Sequence, residues 1–201
     1  MPDLFQQQSP LVQIDLDEAR GKAPEIREVP FLGYLNLRAK TSNTTFLAAL
    51  LRVIGCEPPT EANTMVESGN YRIYWLGPDE WLLITPTGKQ GQVQAELRKA
   101  LDGVFSSVVD NSSGLTLVEV AGENAGSLLA TSCPFDLHPR VFKPGQCAQT
   151  RLAKAGMTIT PMRDGPGFEI IIRRSFADYL LIWLQDAALV FSLSINGNQH
   201  P

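Results

Sequence analysis

The chain has 201 residues, of which 44% are hydrophobic and only 19% charged, with a net charge of −4. A chain of this length buries roughly 70% of its unfolded surface, so it needs no disulfide or metal staple, and its three cysteines read as small core hydrophobes of a reducing, cytoplasmic compartment. The acidic balance and the lack of any Lys/Arg run exclude an electrostatic nucleic-acid surface; the most apolar tract, at 179–195, is broken by Gln185 and Asp186 and too short to span a bilayer.

Residues 1–30 hold a run of three glutamines, several charges and Pro10, Pro24 and Pro30, with no sustained apolar period. They read as an extended N-terminal arm lying across another subunit, or as a disordered tail. The start, Met1 to Phe5, lacks the basic-then-apolar pattern of a secretory signal.

From residue 31 the pattern becomes regular. A strand at 34–40 precedes a helix at 43–54, where Ser42 or Asn43 serves as cap. Phe46, Leu47, Leu50, Leu51 and Ile54 fall at helical spacing, and Gly55 stops the helix. Strands at 71–76 and 81–85 flank the hairpin punctuation Gly77-Pro78-Asp79-Glu80. A helix at 92–101 follows, with Val93, Leu97, Ala100 and Leu101 on one face, ending at Gly103.

The same order then recurs about eighty residues on. It comprises a strand at 115–120, a helix at 124–132, strands at 148–152, 157–160 and 168–172, and a helix at 176–189. Ser175 is placed to cap that last helix with Asp178 in its first turn, and Phe176, Tyr179, Leu180, Trp183, Leu184 and Ala187 read as a core stripe. Neither half, at about 31–104 and about 105–195, has enough strands to cover its own helices. The expectation for 31–201 is therefore one compact α+β unit of duplicated β-α-β-α subdomains with exchanged strands.

One stretch resists this order: Cys133-Pro134-Phe135-Asp136-Leu137-His138-Pro139-Arg140-Val141-Phe142-Lys143-Pro144-Gly145. Three prolines forbid a helix or a central strand, yet its apolar residues want burial. Phe135 and Leu137 are expected to point inward. Phe142, with Val141, Arg140 and His138, is the expected partner contact.

Reactive chemistry is sparse. Only His138 and His200 are histidines, Cys133, His138 and Cys147 lack the close ligand pair of a zinc site, and no serine sits in a nucleophile elbow. Gly88-Lys89 lacks the upstream glycine of a phosphate loop, and Gly165-Pro166-Gly167 reads as a turn. Asp79-Glu80 and the Asp15/Asp17 pair read as solvated charge, as do the short basic spots Arg98-Lys99 and Arg173-Arg174. No catalytic, cofactor or metal residue is expected in this chain.

Three segments go further than pattern. Leu76-Gly77-Pro78-Asp79-Glu80-Trp81-Leu82-Leu83, then Phe135-Asp136-Leu137-His138-Pro139 with Phe142-Lys143-Pro144-Gly145-Gln146-Cys147-Ala148-Gln149-Thr150, and finally Arg174-Ser175-Phe176-Ala177-Asp178-Tyr179, resemble in order and spacing the gamma subunit of heterotetrameric sarcosine oxidase. The resemblance implies a fold like the folate-binding domain of the glycine-cleavage T-protein. It implies a non-catalytic structural subunit packed against a large alpha subunit, with beta and delta completing the complex. In that family sarcosine is oxidatively demethylated to glycine with hydrogen peroxide, and the carbon leaves as formaldehyde or 5,10-methylenetetrahydrofolate. The resemblance places FAD, FMN, NAD, tetrahydrofolate and zinc in the partner subunits and none in this chain.

The alternative on the same fold is a free-standing folate binder or aminomethyl-transfer protein, for which Asp110 and Glu119 are the available carboxylates. A further alternative, a folate-dependent maturation protein, would need a reactive cysteine in the stretch from Lys143 to Gln149. That stretch departs from the Lys-Gly-Cys-aromatic-x-Gly-Gln-Glu pattern of such proteins.

Overall fold

The computed structural model describes residues 8–11 and 24–193. The Met1–Phe5 start, the Asp15/Asp17 pair, His200 and most of the expected arm lie outside the described residues. Ten strands and four helices follow in chain order among those described. They are β1 (Glu25–Val29), β2 (Gly33–Ala39), α1 (Thr44–Ile54), β3 (Met65–Ser68), β4 (Tyr71–Gly77), β5 (Glu80–Thr85), α2 (Gln90–Ala100) and β6 (Ser106–Asp110), then β7 (Leu115–Ala121), α3 (Ala125–Ala130), β8 (Ala148–Leu152), β9 (Ala155–Pro161), β10 (Gly167–Arg173) and α4 (Ala177–Leu193).

The strands form two five-stranded sheets ordered β3-β4-β5-β2-β6 and β8-β9-β10-β7-β1. Matching β2 with β7 makes the two orders identical, with β6 in one sheet standing where β1 stands in the other. Each is the strand that precedes its own half and pairs with the opposite half's first strand, β6 with β2 and β1 with β7. The expected α+β duplication with strand exchange is therefore present. Residues 25–29, read with the arm, are in fact the exchanged edge strand, and β3 and β6 are strands the sequence pattern did not yield. β3 has four residues, and all three strands lie at sheet edges, where one unburied face erases the alternation that marks a strand.

Strand periodicity builds the layers. In β5, Trp81 and Leu83 pack with Phe46 and Leu50 of α1 and Val93 and Leu97 of α2, while Leu82 and Ile84 turn to the other sheet. In β10, Ile170 and Ile172 meet α3 and α4, while Ile171 joins Leu117, Tyr34 and Tyr74 between the sheets. The order is helices, sheet, sheet, helices, so central strands are buried on both faces and read as near-continuous apolar runs.

Local signals behave as their chemistry requires. Asn43, rather than Ser42, caps α1, accepting from the Phe46 N–H at 3.0 Å, and Gly55 closes the helix at φ 80°. Leu51, expected on the core face, is exposed, and Ala49 takes the buried position. Ser175 lies inside a 3-10 turn, Arg174–Phe176, leading into α4, and does not cap that helix as a flanking residue would. At the edge away from the exchanged strands the two sheets are tied together. Thr64 bridges Gln146, the Met65 N–H donates to the Gly145 carbonyl at 2.9 Å, and the Cys147 N–H donates to the Asn63 carbonyl at 2.8 Å.

Candidate functional site

The proline-stiffened loop folds into a chain of turns set by its own polar residues. Asp136 accepts from the His138 N–H at 2.9 Å, and His138 Nδ1 accepts from the Arg140 N–H at 3.1 Å. The His138 carbonyl accepts from the N–H groups of Val141 and Phe142. An imidazole accepting at Nδ1 carries its proton on Nε2, and here it organises a turn.

The resulting geometry corrects one expectation. Phe142 is 3% exposed, packed edge-to-face on Phe135 at 5.0 Å and stacked on Phe168 of β10 at 6.3 Å, so it is core and unavailable to a partner. A one-residue step turns its neighbour outward: Val141 is 57% exposed, with His138 and Arg140 also at the surface. Leu137 is buried, and Phe135 packs on the same core as a half-buried side chain.

The candidate ligand residues do not converge. Cys133 belongs to the core under α3 and α4, Cys147 to the layer between the sheets, and His138 to the surface. Among the described residues no group of three or more His, Cys, Asp and Glu could hold a metal ion. Cys147 Sγ donates to the Thr64 carbonyl at 3.3 Å, and burial pushes its thiol up to about 11, which leaves it protonated and inert at neutral pH. That is the opposite of a reactive cysteine.

Asp110 and Glu119 are also separate. Glu119 pairs with Arg27 across β1 and β7. It stands in register with Glu169 of β10, which holds Arg72 of β4 and accepts from the Tyr74 hydroxyl at 3.3 Å. This cluster joins the two sheets through charge. Burial lowers the affinity of Arg72 for its proton, but Tyr74 and Glu169 outweigh burial and the net shift is upward. Burial likewise drives the Tyr74 phenol well above its ordinary value.

Asp110 instead ends β6, accepting from the Ser112 N–H at 2.8 Å, and lines a cavity of about 320 Å³. Phe31, Leu32, Gln90, Ser113, Thr116 and Arg174 share that lining. Sequence reading did not find it, because its walls come from segments far apart in the chain.

The last helix presents a second surface, which includes Phe176 and Tyr179 of the expected core stripe. Ala177, Leu180, Leu181 and Leu184 are buried, whereas Phe176, just before the helix, and Tyr179, Ile182, Leu189 and Val190 are exposed, with the exposed Asp186 among them. A groove of about 390 Å³ runs beside them, lined by Thr131, Trp183, Asp186, Ala187, Val190 and Phe191. The exposed side of α4 is thus mixed, its apolar side chains standing beside Asp178 and Asp186.

Comparison with known proteins places these features. The family described as "Sarcosine oxidase, gamma subunit family" matches residues 38–190. Sarcosine oxidase subunit gamma of Corynebacterium sp. (strain P-1) is 34% identical over 170 residues, covering 84% of this chain and 81% of that one. The same subunit of an Arthrobacter species is 31% identical over 169 residues, covering 83% and 81%. Among solved structures, a chain of the heterotetrameric sarcosine oxidase from Corynebacterium sp. U-96 superimposes with a TM-score of 0.83 at 30% identity, covering 92% of this chain and 96% of that chain. The glycine cleavage system aminomethyltransferase T of Bartonella henselae aligns at TM-score 0.60 and 16% identity over 79% of this chain and 44% of that one, a likeness of fold.

Proposed function

The chain belongs to the sarcosine oxidase gamma subunit family, and from that premise we propose that it is the non-catalytic structural subunit of a cytoplasmic heterotetrameric sarcosine oxidase. In this reading it packs against the large alpha subunit, with beta and delta completing the assembly. The complex oxidises sarcosine to glycine, reduces oxygen to hydrogen peroxide and releases the one-carbon unit as formaldehyde or 5,10-methylenetetrahydrofolate. FAD, FMN, NAD, tetrahydrofolate and zinc are held by the partner subunits.

The observation that carries the reading is the near end-to-end superposition on a chain of such a heterotetramer, at 30% identity. Two features of the chain fit it: burial holds the Cys147 thiol protonated, and His138 Nδ1 is engaged in organising a turn.

For the contact surface, the outer face of α4 from Tyr179 to Val190, with its groove, meets the alpha subunit, and the exposed Val141, His138 and Arg140 offer a second patch. Exposed apolar side chains along one helix suit insertion into an apolar partner surface, and a partner covers the face that the fold leaves open.

Purification of the tagged full-length chain from its own cells tests the proposal. A large assembly with yellow flavin absorbance and sarcosine-dependent peroxide formation is the expected result. Elution as a colourless single chain under conditions that preserve soluble complexes would overturn it. With the complex in hand, Ile182→Glu should release the chain without lowering its own melting temperature, and an unaffected assembly would remove α4 from the interface.

A further inference from the structure

The cavity at the exchange crossing is a second feature, independent of the assembly reading. It lies where the turn from β1 to β2 and the turn from β6 to β7 come together, closed by the first residue of α2 and by Arg174 after β10. Its volume of about 320 Å³ would hold about ten waters, enough for a small metabolite.

Three polar groups in its lining have bonding capacity left over. Among the described residues Arg174 donates through Nη2 to the Gln8 carbonyl at 2.7 Å, which engages one of its five guanidinium N–H groups. Asp110 uses Oδ1 for Ser112, and its Oδ2 makes no hydrogen bond among the described residues. Gln90 Oε1 is buried without a partner among the described residues. The tight seat of Gln90 is built in: Gly33 has no side chain, and a Cβ there would stand 2.2 Å from Thr85 Oγ1 and 2.6 Å from Gln90 Cβ.

The rim adds a backbone signature. Phe31 is held at φ 62°, in the left-handed region that a bulky residue rarely enters, and its ring is partly exposed at the cavity wall. Such conformations persist where surrounding structure imposes them, and they gather at ligand clamps.

We propose that this cavity binds a small zwitterion of amino-acid type, its carboxylate on Arg174 and its ammonium on Asp110. One fixed cation and one fixed anion in the same concavity favour a ligand carrying both charges over one carrying either alone, because a single charge leaves the opposite protein group unmatched. Ser113 and Thr116 are also in the lining, the Thr116 hydroxyl donating to Glu28 Oε1 at 2.6 Å.

The test is a two-dimensional NMR titration of the full-length chain with glycine, alanine and glutamine, alongside acetate and methylammonium as half-ligands. Saturable shifts confined to the signals of residues around Leu32, Ser112, Ser113 and Arg174 are expected for at least one amino acid, with both half-ligands at least tenfold weaker. Asp110→Asn keeps an acceptor for the Ser112 turn and should lower amino-acid affinity at least tenfold; Arg174→Gln should do the same. If Arg174→Gln loses the fold, Asp110→Asn decides alone. No saturation by about 100 mM of any of the three amino acids, half-ligands as good as the zwitterion, or unchanged affinity in Asp110→Asn would each overturn the proposal.

Discussion

Replacing Phe142 with alanine separates core from interface at the proline-rich loop. The ring is 3% exposed and touches two other aromatic rings at centroid distances of 5.0 and 6.3 Å, one of them on β10. Its loss removes an aromatic side chain from water-free packing and leaves a cavity under α3 and α4 that a loop stiffened by Pro139 and Pro144 collapses into poorly. Phe→Ala at such sites costs about 3–5 kcal/mol. For a chain of this size each kcal/mol moves the melting temperature by about 2–4 °C, so the expected fall is about 6–20 °C. The adjacent Val141→Asp is the control. That side chain faces solvent, so the isolated chain should stay within about 0.5 kcal/mol of the parent, while assembly with partner subunits weakens. Thermal and urea melts of the full-length chain followed by circular dichroism give the stability arm, and size-exclusion chromatography with the partner subunits gives the other. A Phe142→Ala melt within about 2 °C of the parent would refute the core placement and the packing argument built on it.

Three further outcomes follow from other layers of the molecule. Arg72→Met strands Glu169 between the sheets and should cost about 3 kcal/mol, with Arg72→Met/Glu169→Gln costing less than the two single changes added together; a strictly additive urea-unfolding cycle would contradict the coupling. Cys147 ionises near 9 when free and near 11 when folded, so the folded state retains the proton; stability should be flat with respect to this group below pH 9 and fall between 9 and about 11, and Cys147→Ala should reduce that slope in urea midpoints measured across the range. Gly33→Ala forces a Cβ into Thr85 and Gln90 and should destabilise by about 1–3 kcal/mol, read as a lowered urea midpoint, whereas Gly91→Ala, with open space around its Cβ, should not.

What the sequence determined by itself is the inventory of strong local signals and their repetition. Two-faced burial made β5 and β10 continuous apolar runs, Asn43 and Gly55 bracketed α1, and the two series of elements aligned with one another, which is enough for a duplicated α+β unit. Residues carrying a family resemblance added the rest of the early reading, including the gamma-subunit assignment. Tertiary structure alone decided which strand completes which sheet, since β1 and β6 have an open face and their pairing depends on a distant half of the chain. It also decided direction at single residues. Phe142 and Val141 have the same appetite for burial in sequence, and a turn organised by Asp136 and His138 sends one inward and the other out. The outer face of α4 was illegible for a related reason: apolar spacing shows that a helix has a covered side, while only the neighbouring sheet shows how many such sides it can cover. The cavity beside Arg174 was hidden most completely, because it is made by segments that meet only after the two halves exchange their strands.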